Sequence, residues 1–397
     1  MSRISTVTFQ SDALANMEAL QAAMAKTQGQ LSSSSKLQSA ADDPAAMVQV
    51  NQLNVAISAS TQYVTNQNAG SSNLKLEEQA LTDATNTLQS ARDLAVEANN
   101  PALSASQRQD IAAQLQQQLQ DLLSVGNRKD SYGNYLFAGT AAGTAPFSQS
   151  GGTISYSGSN TVNQVQISST QRISSGDTGA SIFMNIAAGN GTFTTAAGAA
   201  NTGAASVAPG TVTNAAAWVP DTYTIKFTNS SQYVVTNSGG TQVAAGTYNA
   251  GDSIAFNGIS VPISGTPAAS DTFTVAPAGK ASVFSTLNGL IATLNNTSLN
   301  NGQIASQIAT ALQQIDGAVT NMSDVGASVG ARINSITSAQ STEQSTQTNL
   351  QTQVSNLSDV DYAAAITRLS TEELSLQAAQ QSYASIAKLS LFNYIQG

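Results

Sequence analysis

Apolar residues recur every seven positions through the first third of the chain. The main repeat consists of Leu74, Leu81, Leu88 and Ala95, and a second repeat in step with it consists of Ala84, Ala91 and Ala98. The residues Met47, Val50, Ile57 and Val64 keep a helical phase upstream. Such a pattern predicts helices that pack side by side along an apolar seam.

The last third of the chain carries a longer repeat of the same kind. Its heptad positions are Ile308, Ile315, Met322, Val329 and Ile336, and the phase returns at Leu350 and Leu357 after Glu343 interrupts it. A further stripe at 4-3-7-7 spacing consists of Tyr362, Ile366, Leu369, Leu376 and Tyr383. We interpret these sets as packing stripes, because apolar residues at helical spacing usually face other helices.

Residues 141–279 follow a different pattern, with six charged residues but 11 of the chain's 21 aromatic residues. Within YTIKFT, Tyr223, Ile225 and Phe227 alternate with polar residues, and Ile254 and Phe256 do the same further on. A period of two, punctuated by Gly, Asn, Ser and Pro, predicts short antiparallel strands. The low-complexity stretch TFTTAAGAANTGAASVAPGT, residues 192–211, predicts a long exposed loop.

Together these patterns predict an α+β fold, in which the N- and C-terminal arms form an elongated antiparallel coiled-coil bundle around an inserted, mostly antiparallel β domain. We expect residues 1–46 and 357–397 to form terminal coiled-coil helices and residues 47–140 and 280–356 to form a helical rod domain. Residues 141–279 would form the β domain on the surface. The arms bury their stripes by packing on each other, which brings both chain ends to the same end of the molecule.

Four residues are predicted to cap helices. In SAADDPAAM, Asp43 is expected to accept hydrogen bonds from the free amides at a helix start, with Pro44 in the first position, where a missing N–H costs nothing. Ser358, together with Asp361, is expected to cap the last helix in the same way. The paired carboxylates Asp42 and Asp43 therefore need no catalytic explanation, and negative charge there suits the helix dipole.

The composition removes most kinds of chemistry. The chain has no Cys and no His, which excludes disulfides, thiolate nucleophiles, His-dependent triads and imidazole metal sites. Only 9% of residues are charged, and a net charge of −9 leaves no basic patch for nucleic acid. No window approaches the ~18–20 apolar residues of a membrane helix. We therefore expect no enzymatic activity, cofactor, metal, small-molecule substrate, nucleic acid or membrane partner.

Two further sequence features could suggest a binding site, a possible phosphate loop and a possible calcium site, but we interpret neither of them in that way. Lys280 in AGKAS does not complete a phosphate loop, because Thr274 stands where the first Gly is required and neither Ser nor Thr follows the lysine. Asp177, Asp252 and Asp271 lie near glycines, where calcium is one possibility and turn formation is the one we favour. The start MSRISTVTFQ has one Arg and no apolar run, so we expect export, if any, without a cleaved signal peptide.

Five segments in the same order resemble the bacterial flagellin family. They are RIST (3–6), LSSSSKLQSAADDPAAM (31–47), LQSARDLAVEANN (88–100), VGARINSI (329–336) and the closing segment from LSDVDYAAAI to LFNYI (357–395). Within the family, the RIST start, DDPAA, SYGNYLFAGT (131–140) and LSLFNYI (389–395) are similar to the branch that joins hook to filament. ISGTPAASDTFTV (263–275) resembles a hook-associated motif, with Ser270 where Gly is usual.

The resemblance implies a structural axial protein of the bacterial flagellum, extracellular and placed at the hook–filament junction. It also implies export without a cleaved signal through the flagellar type III apparatus. The implied partners are further copies in a homo-oligomeric ring, the neighbouring hook-associated junction protein, flagellin, and a cytoplasmic export chaperone. The terminal helices would pack into a tube, and we expect their interface at Leu14, Met17, Leu31, Tyr362, Ile366, Leu369, Leu376, Tyr383, Leu389, Leu391, Phe392 and Tyr394.

Three other functions remain to be compared with the junction. A filament-forming flagellin would share the family but have flagellin-type ends. A surface adhesin could be carried on the β domain. An enzyme displayed on the same scaffold would need a metal-binding His motif, and the chain has no His. The terminal segments have narrow apolar stripes, so we also expect them to gain order when neighbouring subunits cover them.

Overall fold

The computed structural model describes the backbone of residues 6–395 and the side chains of residue 8 and residues 10–385. Helices occupy both ends of this range, and the strands lie between them. This confirms the α+β class, with two helical arms on either side of a mostly antiparallel β region. The helices are α1 (Thr6–Ser33), α2 (Pro44–Ala98), α3 (Ala105–Gly126), α4 (Val283–Asn295), α5 (Asn301–Ser358) and α6 (Tyr362–Ile395).

The strands of the described range form five antiparallel sheets. The largest has the order β11-β10-β9-β14-β6, the next has the order β12-β13-β7 with β8 also paired to β13, and β1–β2, β3–β4 and β5–β15 are two-stranded. Their bounds are β1 (Phe147–Ser150), β2 (Thr153–Tyr156), β3 (Gln164–Gln166), β4 (Arg172–Ser174), β5 (Ile186–Ala187), β6 (Phe193–Ala197), β7 (Ser206–Val207), β8 (Thr211–Val212), β9 (Tyr223–Asn229), β10 (Gln232–Thr236), β11 (Gln242–Thr247), β12 (Ser253–Phe256), β13 (Ile259–Ser264), β14 (Thr272–Pro277) and β15 (Lys280–Ala281).

The chain divides into two compact units. The terminal unit comprises residues 1–65 and 340–397, and the central unit comprises residues 66–339. The division therefore lies inside α2 and α5 and not at the expected boundaries near residues 46 and 357. The heptad repeats become polar near this division, at Gln67 and Ser60 in α2 and at Glu343 in α5. Ser60 Oγ donates a hydrogen bond to Glu343 Oε2 at 2.6 Å, where an apolar pair would continue the core.

The apolar repeats of α2 and α5 form the core of the central unit together with α3 and α4. α3 begins at a capping box, in which the Gln107 amide donates to Ser104 Oγ at 3.3 Å and the Ser104 amide donates to Gln107 Oε1 at 2.9 Å. The packing stripes predicted in residues 74–98 and 308–336 are confirmed. Their buried members are Leu74, Leu81, Ala84, Leu88, Ala91, Ala95, Ala98, Ile308, Ile315, Met322, Val329 and Ile336.

Residues 147–187 belong to this helical core, although we expected them in the β domain. The reason is an aromatic cluster in which the ring of Phe147 lies 5.5 Å from Phe183 and 5.0 Å from Phe284 of α4, between ring centroids. Gly126 and Gly179 permit this packing, because a Cβ at either position would come within 3.0 Å of the Phe147 ring. The first short strands therefore cover the helices, and the independent β region starts later.

We call residues 188–279 the β module, since they enclose a second hydrophobic cluster of their own. The alternation predicted for β9 and β12 is confirmed, because the apolar members of each strand are buried in this cluster, and Ile259, Val261 and Ile263 of β13 alternate in the same way. The module leaves and re-enters the helical part through one pair of adjacent two-residue strands, with Ala187 opposite Lys280 and Ile186 opposite Ala281. Its two ends are therefore neighbours.

Residues 192–211 are not the long exposed loop that we predicted. β6 pairs with β14 along its whole length, β7 and β8 pair with β13, and Phe193, Ala205 and Val207 are buried. Small residues of low complexity are compatible with strands here because the partner strands supply the large side chains. The buried carboxylate of Asp271 holds the remaining turn by accepting bonds from the Thr202 amide at 2.9 Å and the Gly203 amide at 3.1 Å.

Polar residues at the start of α5 hold the β module against this helix through hydrogen bonds. Gln303 Nε2 donates to the carbonyl oxygen of Ala199 at 2.9 Å, and Asn300 Nδ2 donates to that of Asn201 at 2.9 Å. Ser306 Oγ accepts from the Val207 amide at 2.9 Å. These groups face one side of the helix and are matched to backbone groups of the module, so the contact is directional.

Candidate assembly surface

The terminal unit has almost no hydrophobic core of its own. Among the side chains that the structure describes there, only five residues are buried, namely Thr27, Gln30, Ala46, Ser60 and Ala365. Three of them are polar and the two apolar ones are alanines, which bury little surface. Helices of this length without a buried apolar face gain little stability from propensity alone. The described side chains of this unit therefore have little apolar packing within the unit.

α1 and α6 pack against each other along a seam that is only partly covered. Half-buried or buried positions recur at alternating steps of three and four on α1 (Ala13, Met17, Leu20, Met24, Thr27 and Leu31) and on α6 (Ala365, Leu369, Glu372, Leu376, Ala379 and Tyr383). Of the residues predicted for the interface, Met17, Leu31, Leu369, Leu376 and Tyr383 lie on this seam. These five side chains are half-buried within the chain itself.

The other described members of the predicted interface are exposed. Leu14 is 46% exposed, Tyr362 is 49% exposed and Ile366 is 54% exposed. Three more apolar residues of the same unit, which we did not predict for the interface, are also exposed, Val48 at 56%, Val55 at 70% and Leu374 at 68%. In the sequence, these three residues stand out as apolar positions outside the heptad stripes of the mostly polar helices α2 and α6. We call these six residues the terminal apolar set.

Leu389, Leu391, Phe392 and Tyr394 were also predicted for the interface. They fall within the span of α6, and their side chains lie outside the described residues.

The two acidic residues before α2 have separate roles. Asp43 Oδ1 accepts a hydrogen bond from the Ala46 amide at 2.9 Å, directly ahead of Pro44, the first residue of the helix. Asp42 Oδ1 pairs with Lys26 Nζ at 2.7 Å, and its Oδ2 accepts from the Ser39 amide at 2.8 Å. The Lys26 bond is the main reason that the pKa of Asp42 is lowered to about 2. Asp42 thereby links the segment between α1 and α2 to Lys26 of α1.

The connection between α5 and α6 differs from the prediction at Ser358. Asp361 Oδ1 accepts from the Ala363 amide at 3.0 Å and the Ala364 amide at 3.1 Å, so this residue caps α6. Ser358 is instead the last residue of α5, and its Oγ donates to the Val354 carbonyl oxygen at 2.9 Å. The cap needs a side chain directly before the first helical residue, and Ser358 lies one turn too early.

The three aspartates that we interpreted as turn residues have different surroundings. Asp252 Oδ2 accepts from the Asn249 amide at 3.0 Å, and Asp271 accepts from the Ala268 amide at 2.8 Å, as turn residues do. Asp177 instead forms an ion pair with Arg332 of α5. Within the described residues, no group of three or more Asp or Glu side chains could hold a metal ion. None of the described helices is long and apolar enough to cross a membrane.

Three family models match the chain. The bacterial flagellin N-terminal helical region matches residues 4–142, and the bacterial flagellin C-terminal helical region matches residues 312–395. The D2-like domain of flagellar hook-associated protein 1 matches residues 196–277, which lie inside the β module. The two helical models cover α1–α3 and most of α5 and α6, and the third covers the strands from the end of β6 to β14.

Individual sequences and solved structures that resemble the chain are also flagellar proteins. Flagellar hook-associated protein 3 of Salmonella typhimurium is 32% identical over 184 residues, which are 46% of this chain and 57% of that protein. The chain thus spans little more than half the length of this relative. FlgL of Xanthomonas campestris is 34% identical with a TM-score of 0.71, and the match covers 76% of this chain and 99% of that chain. The flagellar junction protein FlgL of Legionella pneumophila is 31% identical with a TM-score of 0.71, covering 78% and 100%.

Proposed function

The chain belongs to the bacterial flagellin family, and we propose that it is a structural protein of the flagellum that joins the hook to the filament. Two solved relatives that are more than 30% identical and almost completely covered are the FlgL proteins of Xanthomonas campestris and Legionella pneumophila, the second described as the flagellar junction protein. The match of residues 196–277 to a domain of hook-associated protein 1 favours the junction over a filament-forming flagellin. The same match makes an adhesin carried on the β module the weaker alternative.

The observation that carries the proposal is the missing core of the terminal unit. Ordering a residue costs about 1–2 kcal/mol of backbone entropy, which apolar burial normally offsets. The terminal unit buries two alanines as its only apolar residues among the described side chains, while its terminal apolar set stays in water. Neighbouring subunits would supply the missing surface, so assembly and ordering of these helices would occur together.

The partners follow from this role. We expect a homo-oligomeric ring in which the terminal helices line a tube and the β module faces outward. The ring would contact the neighbouring hook-associated junction protein on one side and flagellin on the other. Before assembly, a cytoplasmic chaperone would cover part of the terminal apolar set, and the chain would leave the cell by flagellar type III export without cleavage. A catalytic role has no support in the residues, and we propose none.

Assembly on isolated hooks tests the proposal directly. The full-length chain is added to hooks of the source bacterium that carry the neighbouring junction protein, and flagellin is then supplied. Electron microscopy and sedimentation report whether the chain adds a short cap and whether filaments grow from it. We expect a cap of limited length and filament growth only when the chain is present.

Two outcomes would contradict this assignment. Long regular filaments of the chain alone, under precipitating salt and with seeds, would identify a filament flagellin. Normal capping and filament growth without the chain would remove its junction role altogether. A variant that lacks residues 188–279, with a two-residue turn in their place, serves as the control for adhesion. It should keep the capping activity because the module enters and leaves through one strand pair.

A further inference from the structure

A buried acidic residue interrupts the apolar repeat of α2. Glu77 stands seven residues before Ala84, at the position that Ala84, Ala91 and Ala98 occupy in the following heptads. The helical phase therefore turns Glu77 inward, and the side chain is 2% exposed. A carboxylate at such a position requires a compensating partner, because burying an unpaired charge is costly.

The contacts of Glu77 join it to the segment after β4. Its Oε1 accepts a hydrogen bond from the Asp177 amide at 3.1 Å, while its Oε2 has no partner among the described residues. Gly176 lies against that oxygen, since a Cβ there would be 3.5 Å from Oε2. Both residues line a polar cavity of about 120 Å³ between α2 and the loops around it.

Arg332 links the same segment to α5. Its Nη2 forms the ion pair with Asp177, and its Nη1 donates to the carbonyl oxygens of Gly176 at 3.3 Å and Ser174 at 3.4 Å. The segment 174–177 is thus held between Glu77 on one helix and Arg332 on another. The guanidinium of Arg332 pairs with Asp177, so the group of Glu77, Asp177 and Arg332 is neutral only if Glu77 carries a proton.

We propose that Glu77 and Asp177 form a proton-dependent latch between α2 and the segment that Arg332 holds on α5, closed while Glu77 carries the proton. In the closed state the neutral Glu77 carboxyl accepts the Asp177 amide at Oε1 and carries its proton on Oε2, the oxygen without a partner among the described residues. Loss of the proton places a buried negative charge on Glu77, next in the cluster to the Asp177 carboxylate that already pairs with Arg332, and opens the contact. The latch lies in the central unit and is independent of the proposed junction role.

The charged and titratable groups around Glu77 are consistent with this assignment. Burial, and after it the negative charge of Asp177, raise the pKa of Glu77 to about 8, while the charge of Arg332 opposes the rise. Asp130 and Tyr135 line the same cavity from the loop after α3, and Asp130 Oδ1 is occupied by the amides of Tyr132 and Asn134, both at 2.9 Å. The remaining ionisable neighbours on α2, Lys75 and Glu78, are exposed.

The sign of the pH effect follows from the raised pKa. Between about 4.5 and about 8 the folded chain keeps a proton that the unfolded chain releases. The contribution of Glu77 to the free energy of unfolding is therefore fully present below pH 4.5, decreases as the pH rises, and is lowest above about pH 8. Each pH unit in this window lowers the folding equilibrium constant by up to about tenfold.

Urea unfolding of the full chain, followed by far-ultraviolet circular dichroism from about pH 6 to about pH 9.5, measures this slope. Glu77→Gln mimics the protonated acid, so the variant should lose the pH dependence and be the more stable protein at the alkaline end. Glu78→Gln, at the exposed neighbour, should keep the wild-type profile. A wild-type profile that is flat, or the same slope in Glu77→Gln, would overturn the latch.

Infrared spectroscopy provides a second readout that does not depend on unfolding. We expect the band of a protonated carboxylic acid at neutral pH in the wild type, its loss at alkaline pH, and its absence from Glu77→Gln. In Asp177→Asn, the band should disappear at a lower pH, because the second carboxylate no longer favours the proton. A wild-type spectrum without this band at neutral pH would contradict the proposal.

Discussion

Leu374 offers the sharpest test of the assembly surface. It lies on α6, off the seam with α1, and is 68% exposed. Full burial of a Leu side chain is worth about 1.5–3 kcal/mol, so about two thirds of this, roughly 1–2 kcal/mol, is still available for contact with a neighbouring subunit. Leu374→Gln removes that contribution without a penalty in helix propensity, because Leu and Gln have similar values.

The variant should bind isolated hooks about 5- to 25-fold more weakly per subunit, the factor that corresponds to 1–2 kcal/mol. Quantitative sedimentation of the chain with hooks measures this loss. The stability of the free chain should change by less than about 0.5 kcal/mol, because the side chain is already in water. Val219→Gln is the matched control, since Val219 is 57% exposed but lies in the β module.

Two results would refute the reasoning. Equal hook binding by Leu374→Gln and the wild type would show that this side chain stays in water after assembly. An equal loss in Leu374→Gln and Val219→Gln would show that exposed apolar residues contribute without regard to the unit in which they lie.

Three further predictions concern stability and titration. Ile315→Ala removes a fully buried side chain from the helical core and should lower the free energy of unfolding by about 2–5 kcal/mol in urea titration, whereas a loss below 1 kcal/mol would contradict the core assignment. Ser270 has φ of 74°, a left-handed conformation that costs a non-glycine residue about 1–2 kcal/mol, so Ser270→Gly should raise the melting temperature of the β module. The Asp42 carboxyl should titrate near pH 2 by NMR and move back toward its usual 3.8 in Lys26→Met, so the turn is stabilised above pH 3.8 and this contribution is lost as the pH falls through about 2. An unchanged titration in Lys26→Met would contradict the ion pair.

Ser270 also shows how a resemblance can be checked by geometry. The sequence motif usually has Gly at this position, and the chain keeps the left-handed turn with Ser in its place. The neighbouring Asp271 stabilises the turn by accepting three backbone hydrogen bonds, from Thr202, Gly203 and Ala268. The departure from the motif is therefore accommodated locally.

The sequence predicted little about which residues of the terminal helices are covered. Leu369 and Ile366 lie three residues apart in one apolar stripe, yet the first lies on the seam with α1 and the second is exposed. Apolar residues at helical spacing indicate which side chains lie on the same broad face of a helix. The position of the partner helix decides which part of that face is buried, and this depends on residues more than 300 positions away in the chain.

Several features were determined by the sequence alone, because each depends on neighbours within one or two helical turns or on composition. The heptads predict the long helices, the period of two predicts the strands of the β module, and the absence of Cys and His removes most catalytic chemistry. The tertiary structure alone decided that residues 147–187 cover the helices, that Glu77 meets Asp177 across 100 positions, and that the described side chains of the terminal unit bury only two alanines as apolar residues. Periodicity arises from backbone geometry and is local, whereas burial is set by elements that are distant in sequence.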